Sequence, residues 1–165
     1  MSTPAITAAP PSPTTTSAGQ REQLLTFFVR GQEFGTEILR VRELQSWVEP
    51  TPIPQAPNWL KGVINLRGEI VPIADLRERL GFEALAYGPL TVVVVIRVNA
   101  SGRDRTLGLV VDAMSEVLTI EGVQPAPQLT GGDRPWARGI ARTEKGLITL
   151  LDVDALFADL GSTQD

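Results

Sequence analysis

The chain has 165 residues and a formal charge of −4, which is the size of one domain or of two small ones. This acidic balance argues against nucleic acid as a partner, because proteins that bind nucleic acid need a basic face. It also gives no support to binding at an anionic membrane. The chain contains no histidine and no cysteine, so His- and Cys-based nucleophiles and zinc sites are excluded. We therefore expect no enzyme activity, no cofactor and no metal site.

The N-terminal residues 1–19 consist almost entirely of Ser, Thr, Ala and Pro. Such a segment cannot bury enough apolar surface to offset its ordering entropy, so we predict a disordered tail. It has neither a basic start nor an apolar stretch, and no apolar run in the chain approaches the ~20 residues of a membrane span. These features predict a cytoplasmic protein without direct membrane insertion.

Short apolar stretches separated by polar turns begin at Gln20 and predict a mainly β domain over residues 20–161. Four prolines between Pro50 and Pro57 impose an extended connection. The continuous apolar run from Val92 to Val95 is typical of a strand that is buried on both faces. The predicted strands are 24–29, 33–41, 62–66, 69–74, 91–98, 106–112, 117–120, 137–143 and 147–151.

Two internal matches in the same order indicate that the chain repeats itself. A shift of 77 residues places Gly62 on Gly139 and continues without a gap over nineteen positions. A shift of 73 residues places Phe34 on Leu107 and Glu43 on Glu116. We infer two similar halves, at about 25–90 and 91–160, and predict that each half forms a small barrel in contact with the other.

Each predicted half ends in a short capping helix. Asp75 and Asp152 stand where an N-cap carboxylate would accept backbone N–H groups, and Gly81 and Gly161 stand where a left-handed C-cap residue belongs. Because capping accounts for these aspartates, and because ligands at EF-hand spacing do not follow, we do not predict a cation site. The paired glycines Gly62 and Gly139, like the two aspartates, are therefore assigned structural roles.

Arg67 is the candidate binding residue that the repeat does not explain. It lies at the predicted tip of a hairpin, and its counterpart in the second half is Glu144, which has the opposite charge. The scaffold alone therefore does not require an arginine there, and its long guanidinium side chain suits recognition of a partner's carboxylates. The alternative is that Arg67 is a solvated turn residue.

Residues 62–77, GVINLRGEIVPIADLR, resemble the signature of the CheW family, with its NLRG turn, IVP strand and DLR helix start in order. Residues 33–44 resemble the family's first-barrel strand. Residues 107–112 and 146–157 resemble the opening and the closing elements of its second barrel. The resemblance extends over roughly residues 22–160.

This resemblance implies two five-stranded SH3-like barrels and a non-catalytic adaptor. Such a protein bridges the cytoplasmic tips of chemoreceptors and the regulatory domain of a CheA-type histidine kinase, at the inner face of the membrane within receptor arrays. The alternative is a related adaptor that serves a receptor–kinase pathway for pili or gene regulation. By motif position, the kinase-facing region lies near Leu66 and Gly68, and the receptor-facing residues are Val41, Glu43, Arg67, Val92 and Val117.

Overall fold

The computed structural model describes residues 21–83, 86–100, 102–123 and 136–158. The predicted disordered tail and the predicted C-cap Gly161 lie outside these residues. The strands are β1 Glu22–Val29, β2 Gln32–Glu37, β3 Val41–Ser46, β4 Leu60–Leu66, β5 Glu69–Asp75, β6 Val92–Ala100, β7 Arg103–Val111, β8 Ala113–Ile120, β9 Ala137–Thr143 and β10 Gly146–Leu151. A 3-10 turn, Ile38–Arg40, connects β2 to β3, and two four-residue helices, α1 Leu76–Arg79 and α2 Val153–Leu156, follow β5 and β10.

The strands form two five-stranded sheets, each curled into an SH3-like barrel. One sheet has the order β8-β1-β2-β10-β9 and the other has the order β3-β6-β7-β5-β4. We call the first the terminal barrel, because it contains the first and last strands, β1 and β10, and the second the middle barrel. Each is antiparallel except for one parallel pair, β2 with β10 and β5 with β7.

The internal repeat reappears in the strand registers. Gly62 pairs with Ile73 and Gly139 pairs with Leu150, which are matching positions under the 77-residue shift. Both hairpins also contain a register shift one step beyond this pair. The two glycines therefore hold equivalent positions in two equivalent hairpins.

The expectation that each half forms its own barrel is wrong. Strands β1 and β2 leave the first half and join β8–β10, while β3–β5 combine with β6 and β7 of the second half. Because the halves are alike, the local pattern of β1 and β2 suits either set of partners equally. The choice depends on contacts between residues far apart in the chain, which local periodicity does not encode.

Most of the buried apolar surface lies between the barrels. The largest core cluster combines residues of both barrels, such as Phe27 and Phe34 with Leu107 and Leu109. A smaller cluster fills the interior of each barrel. Strand β6 confirms the predicted two-sided burial, because alternate residues belong to different cores. Val93 and Val95 point into the interior of the middle barrel, and Val94 and Ile96 point into the shared core. Since small barrels are marginal alone, this shared core stabilises both.

The capping aspartates occupy equivalent places. The Asp75 carboxylate accepts from the Arg77 backbone N–H at 3.0 Å, and that of Asp152 accepts from the Ala155 N–H at 3.1 Å. Their own backbone N–H groups donate at 2.7 Å to the carbonyls of Trp59 and of Trp136, a further pair related by 77 residues. In the part of the chain described here, no helix is long and apolar enough to cross a membrane.

Gly62 is held by the proline-rich connection. Thr51 and Val63 exchange two backbone hydrogen bonds of 2.9 Å, which cover the outer edge of β4. Gly62 has φ +145°, and a Cβ added there would collide with the Thr51 carbonyl oxygen. A residue without a side chain is therefore needed where this connection crosses the strand.

Candidate partner-binding surfaces

The β4–β5 turn presents Arg67 at the tip of its hairpin. Arg67 and Gly68 have φ of +52° and +91°, as the two central residues of a type I′ turn require. The Asn65 side-chain oxygen accepts from the Gly68 backbone N–H at 2.8 Å and so stabilises the turn. The NLRG sequence thus folds into a tight tip that extends the arginine outward.

Arg67 forms an ion pair with Glu43 on β3. Its Nη1 donates to Glu43 Oε1 at 3.3 Å, and its Nη2 donates to Oε2 at closer range. The hydrogen bond from Arg67, with a second from Gln45, holds the pKa of the Glu43 carboxyl below its usual range. Because β3 and β4 are the two edges of the middle sheet, this pair spans the seam of the barrel. The solvated-turn alternative is incomplete, since Arg67 has a partner although its side chain is 66% exposed.

Arg42 adds a second pair beside the first. Its Nη1 donates to Glu69 Oε1 at 3.2 Å and to the Thr106 hydroxyl at 2.9 Å. Arg42 was not among the binding residues predicted from the sequence. The signal available was the alternation of arginine and glutamate, Arg42-Glu43 on one strand and Arg67-Gly68-Glu69 on the hairpin, which opposes unlike charges across the seam.

The terminal barrel has a corresponding ion pair. Lys145 Nζ donates to Glu116 Oε2 at 2.7 Å, and this hydrogen bond raises the pKa of Lys145. Glu116 matches Glu43 under the 73-residue shift, and Lys145 is the turn neighbour of Glu144. The terminal barrel thus also places a cation opposite this glutamate, but from the turn position after the one equivalent to Arg67.

The predicted hydrophobic contacts divide between the barrels. Val41 and Val92 lie on the paired strands β3 and β6, and both pack partly buried against the shared core. Val117 lies on β8 of the terminal barrel and is exposed. The structure thus joins Glu43 to Arg67 directly and places Val117 on a different sheet.

Leu66 cannot offer its side chain to a partner in this conformation. It is only 6% exposed and belongs to the interior cluster of the middle barrel. Alternation along β4 directs it inward, while the turn exposes Gly68 beside it. The exposed apolar side chain near this tip is Ile70, which was not among the binding residues predicted from the sequence.

Exposed apolar side chains recur at equivalent positions on the two barrels. Ile70 is 61% exposed and its counterpart Leu147 is 63% exposed. Leu44 on β3 and Val117 on β8 form a second such pair. Each barrel thus presents two apolar side chains and a seam-spanning ion pair, a mixed surface that suits contact with another protein.

A groove of about 700 Å³ opens along the seam of the terminal barrel. Strand β8 contributes Glu116 and Ile120 to its wall, and the β9–β10 hairpin contributes Arg142, Glu144 and Lys145. The charged groups in this wall are of both signs. The groove therefore shows no preference for an anion or a cation.

A buried charged network lies at the start of α1. The Arg77 side chain is 1% exposed and binds both carboxylate oxygens of Asp75, at 2.9 and 2.8 Å. Its Nη1 donates to Asp112 at 3.1 Å, and the Tyr87 hydroxyl donates to Asp75 at 3.0 Å. Burial, followed by the nearby Asp75 charge, raises the pKa of Tyr87. The capping role predicted for Asp75 is thus only part of its function, because this aspartate also neutralises a buried arginine.

Within the described residues, no group of three or more acidic side chains is placed to hold a metal ion. Each barrel carries an exposed ion pair at its seam, and two exposed apolar side chains recur at equivalent positions on both barrels. The fold and these surfaces define a class of protein, a two-barrel β module whose exposed side chains suit contact with another protein.

Comparison with known proteins identifies the family. The CheW-like domain family matches residues 23–161. The chain is 40% identical to a probable chemotaxis protein CheW of Rhizobium etli over 147 residues, covering 87% of this chain and 92% of the relative. It is also 40% identical to the chemotaxis protein CheW of Rhizobium meliloti over 142 residues, covering 84% of this chain and 88% of the relative. The crystal structure of the scaffolding protein TtCheW from Thermoanaerobacter tengcongensis superposes with a TM-score of 0.75 at 30% identity, covering 84% of this chain and 93% of that one. The chain belongs to the CheW family.

Proposed function

We propose that this protein is a non-catalytic scaffold that couples chemoreceptors to a CheA-type histidine kinase in chemotaxis signal transduction. Family membership supports the scaffold role, and relatives named as chemotaxis proteins support the pathway. The observation that carries the receptor assignment is the exposed Arg67–Glu43 pair at the seam of the middle barrel. The second candidate is an adaptor of the same family that serves pili or gene regulation.

The receptor-facing surface contains Arg67 and Glu43, with Val41 on β3 and Val92 on β6. Arg67 keeps two-thirds of its side chain exposed while it binds Glu43. A carboxylate on a receptor helix can therefore approach the free side of the guanidinium fork, which has five N–H donors. Val41 and Val92 supply apolar contact on the adjoining strands, and Val117 supplies it from the terminal barrel.

The kinase-facing surface lies at the same hairpin, on its exposed apolar side. Gly68 provides a tip without a side chain, and Ile70 supplies the exposed apolar group that Leu66 does not. An apolar anchor beside a small residue permits close approach of a partner's strand or loop. We therefore assign the regulatory domain of the kinase to the Gly68–Ile70 side of the tip.

The protein acts in the cytoplasm, at the inner face of the membrane, where receptors gather it into arrays. Single contacts of this size are weak, but linked copies raise the effective concentration of each partner. Receptor state then reaches the kinase through changes in the relative positions of the bound proteins. This role requires no bond-breaking chemistry on the chain.

The test is Arg67→Ala, with Lys145→Ala as its matched control in the terminal barrel. Isothermal titration of each variant with a receptor cytoplasmic fragment, and separately with the kinase regulatory domain, measures both contacts. We expect Arg67→Ala to weaken receptor binding by about tenfold or more, because it removes a charged anchor at an interface. Kinase binding should change less, and Tm should stay within about 2 °C because the site is exposed.

The control separates a binding role from a scaffold role. Lys145→Ala should leave receptor affinity unchanged, although it breaks the corresponding ion pair. If both variants lost receptor affinity equally, the two seam ion pairs would act by stabilising their barrels and not by contacting the receptor. Unchanged receptor affinity in Arg67→Ala would refute the receptor assignment. Titration with receptor fragments from chemotaxis, pilus and gene-regulatory pathways distinguishes the two candidate functions.

A further inference from the structure

The two barrels are connected by polar contacts as well as by their shared core. Arg77 of the middle barrel reaches Asp112 at the β7–β8 junction, and Asp112 Oδ2 accepts from the Arg30 backbone N–H of the terminal barrel at 2.8 Å. On another side, Asp154 of α2 accepts from the Asn99 backbone N–H of β6 at 2.7 Å. The first of these contacts lies where the chain passes from β7 of the middle barrel to β8 of the terminal barrel.

A third connection joins the two helices directly. Arg79 lies in the last turn of α1, which follows the middle barrel. Its Nε and Nη2 both donate to the carbonyl oxygen of Leu156, at 2.9 and 2.6 Å. Leu156 ends α2 of the terminal barrel, and the last carbonyls of a helix have no partner within it. A guanidinium from one barrel thus caps the C-terminus of the helix of the other.

Aromatic rings from both barrels hold the Arg79 side chain in place. Its guanidinium carbon lies 4.5 Å from the ring centre of Trp59 and 5.6 Å from that of Phe157. Trp59 precedes β4 of the middle barrel, and Phe157 follows α2 of the terminal barrel. The two rings are themselves in tilted contact at 5.7 Å. The planar cation therefore rests against a pair of rings that already meets at the barrel boundary.

The internal repeat relates the two residues of this contact. Arg79 and Leu156 are equivalent residues under the 77-residue shift, as are Leu80 and Phe157. Equivalent positions that contact one another lie near the pseudo-symmetry axis relating the two halves. One half supplies a side chain there and the other a backbone carbonyl, so a shift of one helix relative to the other changes this contact.

We propose that Arg79 is a positioning residue that fixes the angle between the barrels, and thereby the receptor surface to which both barrels contribute. The second part rests on the proposed function, because it takes Val41, Val92 and Val117 as one surface. Arg79 does not contact the partner in this scheme. Its loss should impair binding that spans both barrels and spare binding to the middle barrel alone.

The test measures the angle and the binding separately. Because the chain has no cysteine, spin labels can be placed through Gln23→Cys on β1 and Ser46→Cys on β3, one exposed site on each barrel. Double electron–electron resonance then gives the distance distribution between the barrels. We expect Arg79→Met to broaden and shift this distribution, to weaken receptor-fragment binding by at least about fivefold, and to leave kinase-domain binding within about twofold. Arg79→Lys, which keeps the charge but not the planar fork, should give intermediate values.

Arg138→Met is the matched control. Arg138 forms a two-bonded pair with Glu22 at 2.9 Å, and both residues lie within the terminal barrel. Its substitution should leave the distance distribution unchanged. An unchanged distribution in Arg79→Met, or equal losses of receptor and kinase affinity, would overturn the proposal. If Arg79→Met does not fold, Arg79→Lys must show the broadening for the proposal to stand. A parent chain that fails to bind the receptor fragment refutes the proposed function, and the distance measurement still decides the positioning role.

Discussion

The middle and terminal barrels place different residues at equivalent positions. The second residue of the first helix is Arg77, which is buried and paired with two aspartates, whereas the second residue of the other helix is Asp154. The charge is reversed, and Asp154 pairs instead with Arg40, with both side chains 31% exposed. The same scaffold position is therefore a buried cation in one barrel and a partly exposed anion in the other. The contribution of this position to the free energy of unfolding should differ accordingly between the barrels.

The largest difference between the barrels should appear at this pair of positions. Arg77→Met leaves Asp75 buried without its guanidinium partner, and breaking a buried pair in this way costs about 3–5 kcal/mol. Asp154→Ala removes a partly exposed ion pair and should cost about 1 kcal/mol or less. Urea unfolding of the two variants beside the parent chain measures both free energies. Equal losses of unfolding free energy in the two variants would contradict the predicted difference between the buried pair and the partly exposed pair.

The interiors of the barrels should differ by a smaller amount. Gly108 and Gly35 are equivalent residues on β7 and β2, but a Cβ at Gly108 would lie 2.7 Å from Val93 Cγ1 and 2.8 Å from Ile73 Cδ1. At Gly35 the nearest atom, Leu24 Cδ1, is 3.4 Å away. Gly108→Ala should therefore destabilise by about 1–3 kcal/mol through overpacking.

Gly35→Ala serves as the comparison for the same methyl group in a roomier site. We expect its effect to fall within about 0.5 kcal/mol of zero, because the added contacts are ordinary van der Waals distances. Thermal unfolding of both variants, converted to free energies, tests the difference. A larger loss at Gly35 than at Gly108 would show that the terminal barrel is the more tightly packed of the two.

The smallest predicted effect is a pH-dependent loss of stability at Glu22, on β1 of the terminal barrel. Two hydrogen bonds from Arg138 hold the pKa of Glu22 below its ordinary value of 4.5. A carboxyl with a lowered pKa in the folded state stabilises above the unfolded pKa, and this contribution is lost as pH falls through the folded pKa. Glu22→Gln should therefore destabilise by at most about 1 kcal/mol at neutral pH, since the pair is only partly buried.

Unfolding of the parent and Glu22→Gln at a series of pH values checks the sign. The difference between them should be constant above about pH 6 and should shrink as pH falls below about 4. Glu121→Gln is the control, because its pair with Arg21 is long at 3.7 Å and both side chains are over seven-tenths exposed. A difference that grows in acid would contradict the assigned direction of the Glu22 pKa shift.

Several features of the fold follow from short-range sequence patterns. The predicted β9 agrees with the structure at both ends, and the predicted hairpin around Arg67-Gly68 folds as its turn residues indicate. The prediction of a single strand over residues 33–41 was wrong. Glu37 ends β2, and a 3-10 turn carries the chain to β3 in the other barrel. The crossing depends on pairing with strands that are distant in the chain, so local periodicity does not reveal it.

The sequence by itself determined the mainly β class, the repeat, the capping aspartates and the family, because each depends on residue order within a short window or between matching windows. Only the tertiary structure decided which strands share a barrel, that Arg67 pairs with Glu43, that Lys145 takes the corresponding role, and that Leu66 points inward. These outcomes depend on residues that are distant in the chain and adjacent in space. The free energy that selects them comes from burying the core between the barrels, which neither half can form without the other.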